Sequence, residues 1–187
     1  MAAPHDPQVL AEGRFLRVLS RSGWEWVERR NTSGAVVVAA VTEEEELVLI
    51  DQYRIPLDRR VIELPAGLVG DSAESEGEGF AEAARRELLE ETGYVARQVE
   101  YLLDGPSSSG LASEVFALVL ARDVQRVGAG GGDATEDIRV HVVPLAEVET
   151  WLASKRQEGF MVSPKIYAAL YFIAQRTAAN AEGRTSP

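Results

Sequence analysis

The chain contains no cysteine. That excludes disulfides and thiolate metal centres. It also lacks any apolar run near the roughly 20 residues a membrane-spanning helix needs, so no span is expected. The first residues, Met1-Ala2-Ala3-Pro4-His5-Asp6, show neither the basic nor the apolar region of a secretory leader, and a cytoplasmic location is the expectation. Positive charge is short as well. Lys and Arg total 19 against 30 Asp and Glu, a formal net charge of -11. Such a surface repels nucleic acid and anionic membranes, and neither is expected as a partner. It repels small anions too, so an anionic substrate would need metal ions and a few placed arginines to reverse the local field. What the chain has is length and apolar content: 187 residues, 45% hydrophobic, enough for one well-packed domain with a small appended element.

Acid is plentiful, and one stretch concentrates it. Arg86-Glu87-Leu88-Leu89-Glu90-Glu91-Thr92-Gly93 has Glu91 four residues and Glu90 three residues after Glu87. On a helix all three carboxylates then share one face. Like charges so spaced destabilise a helix unless something cationic sits between them, the plain alternative being a solvated acidic face. Hard cations such as Mg²⁺ or Mn²⁺ take carboxylate oxygens and leave places for water and phosphate. Ser75-x-x-Glu78 reads as a capping box that starts the helix, and Gly93 fits its C′ position. Just upstream, Ile62-Glu63-Leu64-Pro65-Ala66-Gly67 reads as a strand ending in a tight turn.

Elsewhere, patterning predicts a loose arm over residues 1 to about 12, then short strands at 15–19 and 24–30 separated by a hairpin signal. The apolar run 35–41 reads as a strand buried on both faces. Further strands are expected at 47–53, 61–64, 99–103, 114–121 and 139–143. Residues 104–113 and 128–134, rich in glycine, read as loops, the second as a flexible connector. A helix is expected from Pro144 to near Gly159, with Leu145, Val148 and Leu152 on one face. Another should follow the Ser163-Pro164 start signal, turning Ile166, Leu170 and Ile173 inward. Strands interleaved with three helices predict an α/β class, an α/β/α sandwich on a mixed sheet. The expected division is an antiparallel β element at 1–33, a domain at 34–176 and a disordered tail at 177–187.

The run from Glu78, through seven residues, to Arg86-Glu87-Leu88-Leu89-Glu90-Glu91-Thr92-Gly93-Tyr94 resembles the box of the Nudix hydrolase family. That resemblance implies the same sandwich fold. One spacing departs: residues 68–77 separate Gly67 from Glu78, five more than the family pattern has. Outside the box, Trp24-Glu25 with Arg29, Gln52-Tyr53-Arg54, Glu63-Leu64-Pro65-Ala66-Gly67 and Glu136-Asp137-Ile138 resemble segments of the ADP-ribose pyrophosphatase branch. A second departure is Ser109, where that branch tends to carry proline.

The resemblance implies hydrolysis of the pyrophosphate of ADP-ribose or a related nucleoside diphosphate sugar. GDP-mannose, a dinucleoside polyphosphate or a non-catalytic ADP-ribose sensor are the alternatives. Implied metal ligands are the Ala66 carbonyl, Glu87, Glu90, Glu91 and Glu136. Implied catalytic groups are Glu136 as general base, Glu114 as second choice and Glu90 as a metal or water partner. Trp24, Glu25, Arg29, Arg54, Leu68 and Ser108 form the implied substrate-binding set. Trp24 stacks on a base or packs in its sheet; Arg29 and Arg54 grip diphosphate or make surface ion pairs. Arg86 is expected on the box glutamates. In the family the N-terminal sheet often completes a partner subunit's site, which implies a homodimer.

Overall fold

A computed structural model describes residues 6–30, 32–70, 75, 77–132 and 136–183, with side chains to residue 179. Strands β1 (Gln8–Glu12), β2 (Leu16–Arg21) and β3 (Trp24–Arg29) form an antiparallel sheet of their own. Ser22 and Gly23, with φ of 54° and 81°, make the two-residue turn between β2 and β3. β1 corrects the expectation of a loose arm. All five of its residues are exposed, so burial leaves no alternation to read, and pairing with β2 is what makes it a strand.

Among the described residues the second sheet holds nine strands: β4 (Gly34–Thr42), β5 (Glu46–Arg54), β6 (Arg59–Glu63), β7 (Ala66–Val69), β8 (Tyr94–Val95), β9 (Gln98–Pro106), β10 (Val115–Arg126), β11 (Ile138–Pro144) and β12 (Met161–Val162). Its main path runs β12-β6-β5-β4-β10-β8, with β11 on β5, β7 on β4 and β9 on β10. β10 lies parallel to β4 and β12 parallel to β6; the other pairs are antiparallel, so the sheet is mixed as expected.

Three helices of the described residues cover it: α1 (Phe80–Thr92), α2 (Val148–Gln157) and α3 (Lys165–Gly183). The period of two along β4 and β10 sorts the core into two layers. Val37, Ala39, Val41, Leu118 and Leu120 face Val148 and Leu152 of α2 and Ile166, Ala169 and Ile173 of α3. Val36, Val38, Ala40, Val119 and Ala121 face Ala83, Ala84 and Leu88 of α1. That is the expected α/β/α sandwich.

One detail of the sheet makes the site. β4 and β5 pair only at Ala40–Val48 and Val41–Leu47, then diverge. The fork is filled by a single crossing of the chain: β6 pairs with β5, β7 pairs with β4, and Leu64-Pro65 joins them. Val38 N–H donates to the Pro65 carbonyl at 2.8 Å and fixes the crossing. Ala66 and Gly67 therefore sit in a split sheet, and α1 lies over them.

Several local expectations need correction. Residues 66–69 form β7 rather than a tight turn, because the open edge of β4 offers them a ladder. The capping box does not form. α1 starts at Phe80 with Gly79 as N-cap and no side-chain cap, and Glu78 bonds Arg86 and the Gly70 N–H instead. Ser75-Glu78 survives as a turn, Glu78 N–H donating to the Ser75 carbonyl at 3.0 Å. A 3-10 turn, Leu145–Glu147, precedes α2. α3 begins after Ser163-Pro164 but continues to Gly183, past the expected end at 176; residues 184–187 lie outside the described residues.

Candidate active site

α1 carries the carboxylates because its two faces differ. Ala83, Ala84, Leu88, Glu91 and Thr92 are buried, while Glu90 keeps 54% of its side chain exposed. Gly93, with φ 74°, ends the helix, its N–H donating to the Leu89 carbonyl at 2.9 Å. The residues expected to be a flexible connector pack on this end. Gly131 N–H donates to the Glu91 carbonyl at 2.7 Å and Gly132 N–H to the Glu90 carbonyl at 3.0 Å. Side chains would not fit here. A Cβ on Gly93 would meet the Gly128 carbonyl, and one on Gly130 would meet the Thr92 backbone. Residues 133–135 of that segment lie outside the described residues.

A cavity of about 670 Å³ opens over the fork. Arg29, Arg54, Ala66, Leu68, Glu87, Glu90, Glu114 and Glu136 are among the residues that line it. Glu91 is not among the lining residues and is buried behind Ala66. Only 3% of Glu91 is exposed, and its Oε2 accepts the Ala66 N–H at 2.9 Å. Burial pushes the Glu91 carboxyl up to about 8; the Ala66 N–H and the Arg54 charge oppose this, and Glu87 and Glu136 add to it.

Arg86 behaves as expected. Its guanidinium donates to Glu78 at 2.7 Å, Glu87 at 2.8 Å, Glu90 at 3.2 Å and the Leu68 carbonyl at 2.9 Å. Leu68 thus serves the site through its backbone. The Arg86 guanidinium holds the Glu78 carboxyl below its ordinary range. Glu114 is tied in the same way. Burial alone would raise its carboxyl, but the Ser107 hydroxyl at 2.6 Å and the Arg29 guanidinium together hold it below the usual range. Arg54 Nε donates to Glu63 at 2.6 Å.

Trp24, Glu25 and Ser108 do not line the cavity of this chain. Trp24 stands 68% exposed on the separate sheet. The Ser108 carbonyl accepts the Leu111 and Ala112 N–H groups in the loop before β10, which accounts for its place there. Residues not anticipated are Glu63, Ser107, Phe116, Gly132 and Lys165. The Lys165 ammonium lies 4.7 Å from the Phe116 ring centroid at the start of α3. In sequence it is merely the residue after a helix-start signal, and nothing there tells that α3 aims at the fork.

The residues present suit a divalent cation. Five carboxylates and four cationic side chains line the cavity, and the buried Glu91 bonds the N–H of Ala66, a lining residue. A Cβ on Gly67 would run into the Glu87 carboxylate, so that carboxylate is cradled against bare backbone. Among the described residues no three acidic side chains already converge on one point. Arg86 bonds both Glu87 and Glu90, so a cation held by these two would have to compete with it, while Arg86 would keep its bonds to Glu78 and Leu68.

Comparisons with known proteins place the chain in a family. Residues 31–163 match the model of the NUDIX domain, and the chain belongs to that family. The methanol dehydrogenase activator of Bacillus methanolicus is 36% identical over 124 residues, which are 66% of this chain and 64% of that protein. The ADP-ribose pyrophosphatase of Bacillus subtilis (strain 168) is 38% identical over 91 residues, 49% of this chain and 46% of that one. The chain thus spans about half to two thirds of the length of these relatives. A crystal structure of an ADP compounds hydrolase superposes with a TM-score of 0.70, covering 98% of this chain and 96% of that one at 24% identity, which shows the shared fold. No helix among the described residues is long and apolar enough to cross a membrane.

Proposed function

We propose that the protein hydrolyses the pyrophosphate of a nucleoside diphosphate sugar, with ADP-ribose the leading substrate and Mg²⁺ or Mn²⁺ as the cation. The observation that carries this is one cavity joining the α1 carboxylates to Arg29 and Arg54 across the fork. Glu87, Glu91 and the Ala66 carbonyl would hold the cation, with Glu90 and Glu136 beside them. The cation would supply charge neutralisation at the diphosphate and an acidified water near neutral pH. Arg29 and Arg54 grip the diphosphate oxygens. Each guanidinium has five N–H donors, so a carboxylate neighbour leaves donors for phosphate. Glu136 takes the proton of the attacking water as a P–O bond forms and the anhydride P–O bond breaks. With ADP-ribose the products are AMP and ribose 5-phosphate. Glu114, held ionised by Arg29 and Ser107, orients Arg29 and is poorly suited to serve as the base.

The exposed Val9, Leu10, Phe15, Leu16 and Trp24 of the small sheet support pairing with a second copy, which would bring Trp24 and Glu25 to the partner's cavity. Incubation with a panel of nucleotide sugars, GDP-mannose included, and Mg²⁺ tests the reading. AMP release from ADP-ribose is expected. Faster GMP release from GDP-mannose would reassign the substrate, and binding of ADP-ribose without turnover of any member would replace the enzyme with a sensor.

A further inference from the structure

Asp51 on β5 has a side chain only 1% exposed. A carboxylate so buried requires partners, and it has two. Its Oδ2 lies 2.7 Å from His141 Nε2 on β11, and its Oδ1 accepts from Arg60 Nε on β6. The Asp51 carbonyl also accepts from Arg60 Nη2 at 3.1 Å. His141 is held in turn against Trp151, ring centroids 5.0 Å apart. The Arg60 guanidinium then turns outward. Nη1 donates to the Asp137 carboxylate, and Nη2 to the Asp137 carbonyl at 2.9 Å.

None of Asp51, Arg60, His141 or Asp137 lines the cavity, so none is placed to touch substrate. Pairing Asp51 explains Arg60 as a buried ion pair. It does not explain why the remaining donors of Arg60 take both the side chain and the backbone of Asp137, whose side chain is 64% exposed. Asp137 adjoins Glu136 in the chain. On the other side of Glu136, Gly131 and Gly132 are bonded to the end of α1, and Gly132 backs onto the Glu136 carboxylate, where a Cβ would collide.

We infer that Arg60 is a positioning residue: seated on Asp51, which His141 holds from its other oxygen, it grips Asp137 and so sets Glu136 at the cavity wall. Gly132, bonded to the end of α1, stands against the Glu136 carboxylate, and Arg60 holds the residue that follows Glu136. The inference rests on Glu136 being the base.

Asp137→Ala in the full chain with Mg²⁺ should leave melting temperature and KM unchanged and lower kcat about tenfold, the scale expected when a catalytic group is displaced by less than about 1 Å. Asp51→Asn with Arg60→Gln removes the buried charges together, leaves neither unpaired, and should cost more. In a Glu136→Gln background Asp137→Ala should cost nothing further, because the group it places is gone. Without metal or substrate, hydrogen exchange at residues 136–138 should quicken in Asp137→Ala. Wild-type kcat in Asp137→Ala, a KM rising in step, or equal losses in both backgrounds would overturn the role of Arg60. Should the double substitution fail to fold, the Asp137 cycle alone decides. Wild-type turnover in Glu136→Gln would instead remove the base, and the inference with it; an impaired Glu136→Gln beside an intact Asp137→Ala removes only the inference.

Discussion

A single methyl group reports on the Glu87 carboxylate. Gly67 to Ala would place a Cβ against it, and the side chain would have to swing away. Turnover should fall about a hundredfold, the cost of misplacing a group by about 1 Å, with the melting temperature nearly unchanged. A tenfold rise in kcat or an unfolded protein would contradict that picture. Glu91 to Gln should cost orders of magnitude in turnover while the fold stands; near-normal turnover there would remove the metal role. Glu91 also makes a prediction for pH. Its carboxyl is raised from 4.5 to about 8 in the folded chain. Between those values the folded state binds the proton more tightly than the unfolded one, so the stability it lends is present at low pH and lost as pH climbs towards 8. Metal-free protein should melt progressively lower across that window, and Mg²⁺ or the Gln variant should flatten the slope. At this scale the sequence was legible where chemistry is local: Glu87, Glu90 and Glu91 share a face by helical period alone. Lys165 and Arg60 were not, because the register of distant elements decides where each side chain ends.

α1 and its surroundings show the same division among elements. The helix, its glycine stop and the long buried strands followed from period and composition. β1 and β7 did not, since an open strand edge supplied by another part of the chain recruits them. The glycine-rich run read as a connector because glycine is the usual mark of a loop, whereas here its small size lets backbone meet backbone at the end of α1. Gly93 to Ala tests that contact. The positive φ costs about 1 kcal/mol for a side chain, and the collision with the Gly128 carbonyl adds to it. Urea unfolding should show a loss above about 1 kcal/mol. A neutral result would mean that the glycine run does not lie on the helix in solution.

For the molecule as a whole, charge and topology govern approach and assembly. A net charge of -11 repels a nucleotide sugar at long range. The screening length shortens from about 30 Å at 0.01 M salt to about 8 Å at 0.15 M. kcat/KM measured at fixed Mg²⁺ should therefore rise with ionic strength over that range, and a steep fall would show that the arginines of the cavity dominate the far field as well as the near one. The fold also orders its own birth. Val38 pairs with Val119, so the middle of the large sheet cannot close until a distant stretch of chain is present. A helix of 13 residues is marginal by itself in water. During synthesis α1 leaves the ribosome after β4 and β7 but before β10, so the layer it lies on is then only partly built. Nascent chains stalled before Arg126 should therefore remain open to protease, and the glutamate-bearing helix should become fully protected only once β10 has emerged.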